Sequence, residues 1–213
     1  MNALDTALQK SFPSVMVPRS EAVEPMTAYG ERLLIAANGI WLEVLRPWIR
    51  VVRRVARYDA PTAIPYGDVA ESTELLCGAI PAEHVSAFYQ IARAALPNEA
   101  GAWIVWNRHT RQFRTVPLPS LSHGPGHLRY ERPVLDEGES VVVDCHSHGS
   151  GAAFFSRTDN DDDRHDVKLA LVLGHCERAP SVAFRLCVKG IFDEKQGGIP
   201  ETWRVALDSE VTA

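Results

Sequence analysis

The nine residues SVVVDCHSH, 140–148, constrain this chain more than any other stretch. Three valines followed by Asp144 and Cys145 suit a strand apolar enough to be buried on both faces. A strand sends residues i and i+2 to the same side. His146 and His148 therefore project together from the end of that strand. Any fold proposed for the chain must bury the strand and leave its two histidines at a usable edge.

The rest of the chain supplies the context. Residues 1–31 carry Pro13, Pro18 and Pro25 with little periodicity and read as an irregular arm. ERLLIAANGIWLEVLRPW places two apolar runs around Asn38-Gly39, a strong hairpin signal. IRVVRRVARYD reads as a strand or a helical turn. PAEHVSAFYQIARAAL, 81–96, is the best helix, with proline at its start and a stripe of Val85, Phe88, Ile91, Ala92 and Ala95. Pro97 ends it. AGAWIVWNRHTRQFRTVPL reads as strand, turn at 107–111, and strand. LSHGPGHLRYERPVLDEGE reads as a surface loop, and 157–166 as a helix start. VKLALVLGHC and SVAFRLCVKGIF read as two further strands, and the last residues as an amphipathic tail or short strand. No internal repeat is visible. The order argues for an α+β (mixed α/β) sheet and not for a regular βαβ series. We expect an N-terminal accessory region at 1–75 and a second domain at 76–213.

Composition excludes several function classes. Hydrophobic residues make up 46% of 213, so the chain can bury a core without staples. Its net charge of −5 offers no electrostatic footprint for nucleic acid or an anionic membrane. No apolar run approaches the roughly 18–20 residues of a membrane span. The N-terminus lacks a basic start followed by an apolar core, so no signal peptide and a cytoplasmic location are expected. Cys77, Cys145, Cys176 and Cys187 lack CxxC spacing and read as buried reduced thiols.

Two imidazoles on one side of a strand end make a bidentate zinc site, and Asp159 is the nearest credible third ligand. GSGA at 149–152 lets the backbone turn tightly. Ser156 can cap the following helix with Asp159 in its first turn. Three protein ligands leave a fourth position for water, the pattern of catalytic zinc sites. Hydrolysis also needs a carboxylate to take and return a proton. Glu99, between the helix end at Pro97 and the strand AGAWIVW, is the candidate, with a plain surface-turn glutamate as the competing reading. A bare HxH also fits packing or surface histidines, Ser156 and Asp159 also fit a simple cap, and Asp161, Asp162 and Asp163 fit a solvated helix start. The HxH of amidohydrolase barrels is set aside, because 65 residues after His148 cannot complete a barrel.

These residues resemble the JAMM (MPN-plus, JAB-like) metalloprotease family. HSHGSGAAFFSRTD holds its HxH, seven residues, serine, two residues, aspartate, and PNEAGAW holds its glutamate just after the first helix. The resemblance covers about residues 76–195. It implies an MPN/JAB-like, cytidine-deaminase-like mixed sheet flanked by helices, with a smaller N-terminal β-rich region. It implies Zn²⁺ held by His146, His148 and Asp159. It implies that Glu99 activates the attacking water and protonates the leaving amine, and that Ser156 donates to the oxyanion. The implied reaction is hydrolysis of an amide or isopeptide bond after a ubiquitin-like tail. Gly149 departs from the family, many members of which carry proline there, and is expected to loosen the loop. AANGIWLEVLRPW, AWIVWN, YERPVL and DCHSHG narrow the resemblance to the PRTRC system A group. That group implies a bacterial mobile-element or plasmid cassette with a ubiquitin-like protein and a ThiF-like activating enzyme. A non-catalytic MPN scaffold and a zinc hydrolase of small amides remain as other readings. Asp144 shares the strand parity of His146 and is expected beside the site. Cys145 is expected in the core and His165 on a surface helix, and His109, His123 and His127 receive no role.

Overall fold

A computed structural model describes residues 2–60, 63–194 and 198–212. The chain divides into two compact units, Met1–Gly78 and Ala79–Ala213.

The first unit opens with helix α1 (Ala3–Ser11), followed by β1 (Ser14–Met16), β2 (Gly30–Ala36), β3 (Gly39–Leu45), β4 (Ile49–Ala56) and β5 (Ser72–Leu75). The strands form one sheet in chain order, with β1 parallel to β2 and the other pairs antiparallel. The expected irregular arm is thus a capped helix and an edge strand. Asn2 accepts the Asp5 amide at 2.8 Å, yet no α1 side chain is buried, so no core-facing stripe marks it in the sequence. The hairpin is present, but Ala36 pairs with Gly39 and the turn is Ala37-Asn38. Asn38 leaves the turn to bond Val69 and the Trp41 indole. IRVVRRVA resolves as a strand. Val17, Leu34, Ala36, Trp41 and Val52 form a core, and buried Glu43 holds Arg32 and Arg50 at 2.6 and 2.7 Å.

The second unit contains α2 (Ala82–Ala95), β6 (Gly101–Asn107), β7 (Gln112–Pro117), β8 (Ser120–Gly124), β9 (His127–Tyr130), β10 (Glu139–Ser147), α3 (Arg157–Asp163), β11 (Val167–Gly174), β12 (Ser181–Val188), β13 (Ile191–Glu194) and α4 (Glu201–Thr212). Six strands form one sheet in the order β13-β12-β11-β10-β6-β7. Only β10 and β11 run parallel among its pairs. This is the α+β architecture expected. Helix α2 buries Val85, Phe88, Tyr89 and Ala92 and packs on α4, β6 and β7.

Residues 201–212 are helix α4, not the amphipathic tail or short strand expected. Trp203 and Leu207, one helical turn apart, are buried, and the Trp203 indole donates to Ile80 O at 3.1 Å. The run 181–192 is a hairpin of two strands, because Lys189 and Gly190 both take positive φ and reverse the chain. All four cysteines are free and buried. Burial pushes the Cys77 and Cys176 thiols up to about 11 and Cys187 to about 12, so they stay protonated. No helix among the described residues is long and apolar enough to cross a membrane.

Candidate metal centre

Strand β10 lies between β6 and β11, and His146 sits opposite Gly101 and Val172. His148 lies one residue beyond the strand, its amide held by Leu173 O at 2.8 Å. The two imidazoles stand side by side, 5.2 Å between ring centres. His148 Nδ1 lies 2.9 Å from Ala152 O. Donation to that carbonyl places the ring proton on Nδ1 and leaves Nε2 a free lone pair. Phe154 closes edge-on against the same ring. His146 Nε2 is sealed from solvent with no hydrogen-bond partner among the described residues. Burial lowers the His146 pKa, and Asp159 opposes that shift. The neutral imidazole this favours is the form that ligates metals.

Asp159 arrives from the other side, on α3. Ser156 caps that helix. Its Oγ accepts the Asp159 amide at 3.1 Å, while Asp159 Oδ2 accepts the Ser156 amide at 2.6 Å. This reciprocal capping box uses one carboxylate oxygen and frees the other. The free oxygen, Oδ1, faces His146 Nε2 at 3.6 Å. Ser156 Oγ acts in the cap as acceptor, so its own hydroxyl proton remains available for donation.

One ligand atom each from His146, His148 and Asp159 lies within 4.8 Å of the others. A tetrahedral site with bonds of about 2.0–2.1 Å spaces its ligand atoms about 3.4 Å apart. The His146–Asp159 separation is near that value, and the orphaned buried Nε2 lacks only a partner of this kind. The residues present therefore fit a zinc ion.

Glu99 sits in the short link between α2 and β6 and is 9% exposed. Its amide donates to Gly124 O at 3.0 Å, and its carbonyl meets His123 Nδ1 at 3.2 Å. Burial raises its carboxyl pKa, His148 pulls it down, and Asp159 raises it again. It lines a cavity of about 390 Å³ together with His146, His148, Ser156 and His127. All five sequence-predicted site residues are thus close to one cleft, four of them in its wall and Asp159 facing His146 behind it.

Gly149, expected to loosen the loop, sits in a crowded turn. It has φ of +54°, and a Cβ there would stand 2.6 Å from Pro97 O. Its carbonyl accepts the Cys176 amide at 2.9 Å. The backbone conformation and close packing suit glycine and exclude the φ of proline. Gly174 is equally crowded, with Ala153 N and Gly151 O each 2.3 Å from where a Cβ would be.

Sequence reasoning missed the β8–β9 hairpin, which it read as loop. Its tip, Pro125 to Leu128, forms cavity wall, and its first strand, β8, grips the Glu99 backbone through His123 and Gly124. The signal was Gly124-Pro125-Gly126 between two short polar runs. His127, given no role beforehand, lines the cavity with its Nε2 at 3.0 Å from Ser122 Oγ. Asp144 shares the face of His146, but its carboxylate is bonded to Lys168 Nζ at 2.7 Å. Asp163 is not solvated: it is 6% exposed and paired with Lys168 and Arg185, each at 2.7 Å. Asp161 and Asp162 are exposed on α3, and His165 is exposed in the turn that follows it, not on the surface helix expected.

No curated protein matches the chain. A solution structure of a Desulfitobacterium hafniense protein aligns at 23% identity and a TM-score of 0.42, covering 54% of this chain and 87% of that one. Residues 2–76 match a domain family of unknown function, DUF2016. Residues 81–187, half the chain, match the family of prokaryotic homologs of the JAB domain, and within them stand Glu99, His146, His148, Ser156 and Asp159. The chain belongs to the prokaryotic JAB-domain family.

Proposed function

We propose that the chain is a zinc-dependent hydrolase of amide bonds, acting on the bond that follows the tail of a ubiquitin-like protein. The observation that carries this reading is the meeting of His146, His148 and Asp159 at a cleft whose wall includes the two histidines and a buried carboxyl, Glu99. Two histidines and one carboxylate are the donor set of hydrolytic zinc and not of closed structural sites. When bound, zinc would supply Lewis-acid polarisation of the scissile carbonyl and of the attacking water.

The chain's own groups divide the remaining work. Glu99 takes the proton of the attacking water and returns it to the leaving amine, turning a poor leaving group into a neutral one. Its raised pKa suits both directions of transfer, since an ordinary carboxylate is too weak a base to hold the proton in between. The Ser156 hydroxyl donates to the oxygen on which charge develops. One such donor is worth about 2.7–4 kcal/mol in other hydrolases. His148 stays oriented through Ala152 O, and Asp159 through the helix cap.

The substrate class rests on resemblance. The narrower likeness to the PRTRC system A group supports a ubiquitin-like protein as substrate or conjugate and a ThiF-like activating enzyme as a companion. Protonated, buried thiols suit the reducing cytoplasm. The test is Glu99→Gln, assayed on fusions of ubiquitin-like tails to an amine. We expect metal content to persist and turnover to fall by about 10²–10⁴-fold, the contribution of a positioned acid–base group. Wild-type turnover in the variant removes Glu99 from the mechanism. Turnover of small amides but of no fusion replaces the substrate class.

A further inference from the structure

Asp159 and Ser156 both ride on α3, a helix with little of its own to hold it. Seven residues are too few for a helix to persist alone in water. Its buried residue is Asp163, so no apolar face docks it. Its place is set by polar contacts, and these converge on one side chain of the neighbouring sheet.

That side chain is Arg185 on β12, 1% exposed. Its guanidinium carbon lies 3.8 Å from the Phe155 ring centre and 4.1 Å from that of Phe192. Between those rings it donates through one nitrogen to Asp163 Oδ2 at 2.7 Å and through the other to Asn160 Oδ1 at 2.5 Å. Phe155 precedes the Ser156 cap, Asn160 follows Asp159, and Asp163 ends the helix. One planar group therefore grips α3 before, within and at the end of its length. Lys168 braces the same carboxylate from below, bonding Asp163 Oδ1 at 2.7 Å along with Asp144 and Asp166.

We propose that Arg185 is a positioning residue of the metal centre. It fixes α3 so that Asp159 Oδ1 faces His146 Nε2 and the Ser156 hydroxyl faces the cleft. Arg185 does not line the cleft, so it acts through α3 and not on substrate. The role needs a flat cation that stacks on two rings while its donors fork to two acceptors. Arginine does this and lysine does not. The consequence for metal binding rests on the zinc reading above. The hold on α3 does not.

The experiment uses the full chain with Arg185→Met. Methionine fills the space between the rings, and Asp163 keeps Lys168, so no buried carboxylate is left unpaired. Hydrogen exchange of the metal-free chain is read at the Asp159 and Asn160 amides and along β10 and β11. Zinc affinity is read by competition with a chromogenic chelator. We expect the α3 amides to exchange about 10- to 100-fold faster, the change expected for lost charge-assisted hydrogen bonds, with β10 and β11 unchanged. We expect zinc to bind about 10- to 100-fold more weakly, as when outer partners of metal ligands are lost. In Arg185→Ala, millimolar guanidinium restores both readouts, and Arg185→Lys restores neither. Asn160→Ala removes one grip without touching the buried pair and gives a smaller change in the same direction. Unchanged α3 exchange, or protection lost evenly over β10 and β11, overturns the proposal. A wild-type chain that binds no zinc overturns the metal reading and the affinity expectation with it. The exchange result still decides whether Arg185 holds α3.

Discussion

The two sides of the candidate metal centre are held in place by different physics. His146 stands on β10, flanked by β6 and β11, over Val142, Val143, Cys145 and Leu171, all without solvent exposure. Asp159 stands on a seven-residue helix whose buried residue is an aspartate. The histidine side draws on the hydrophobic burial that stabilises the whole second unit, worth roughly 1.5–3 kcal/mol per buried aliphatic side chain. The aspartate side draws on a cap, a guanidinium and an ammonium. Packing of the first kind fails only when the unit unfolds. A polar grip can fail locally, so one side of the site can be lost while the fold stays.

The largest expected effect breaks the histidine side. Leu171→Ala removes a fully buried side chain beside Cys145, and such truncations cost about 2–5 kcal/mol. Urea unfolding of the second unit should shift by that amount and hydrogen exchange should rise throughout the sheet. A change confined to the 146–148 segment would show that the histidines are held locally after all.

Asp159→Ala should do the reverse. Zinc affinity should fall by about 100-fold or more, at least as much as when an outer partner is lost, because two histidines make a poor site. The urea midpoint of the sheet should barely move. A large loss of sheet stability in this variant would erase the contrast between the two sides.

The smallest effect is a pH dependence that belongs to α3. Burial works to raise the Asp163 carboxyl, but Lys168 and Arg185 outweigh it and hold the pKa below its ordinary value. The folded state then binds fewer protons than the unfolded one near the carboxylate range. Asp163 contributes stability above an unfolded pKa of about 3.9, and loses it as pH falls through the lower folded value. In the metal-free chain, acid should loosen α3 before β10 and β11, as followed by hydrogen exchange below about pH 4. Asp163→Asn should flatten that dependence. Simultaneous loss of helix and sheet would contradict it.

The same division governs what the sequence reveals. Helix α2 is legible because burial imprints a helical period on it, and β10 because burial on both faces leaves a continuous apolar run. The meeting of His146, His148 and Asp159 is legible because strand parity and a helix cap are both local rules. What stays hidden depends on partners far along the chain. Asp163 looks like its exposed neighbours Asp161 and Asp162, and it takes Lys168 on β11 and Arg185 on β12 to give it a buried role. Strands β8 and β9 are mostly exposed, so no alternation of hydropathy marks the hairpin that grips Glu99. Among its described residues helix α4 buries Trp203 and Leu207, and two positions do not print a stripe. The Ala37-Asn38 turn lies one residue earlier than the Asn-Gly signal placed it, because Asn38 is drawn to Val69 and Trp41.

The central claim is that His146, His148 and Asp159 form a zinc site. Elemental analysis of the full chain, purified without chelators, tests it most directly, with His148→Ala alongside. The account predicts about one zinc per chain in the wild type, as a three-ligand site requires, and almost none in the variant. A wild-type chain free of zinc despite ample supply, or a variant that keeps its full complement, contradicts it.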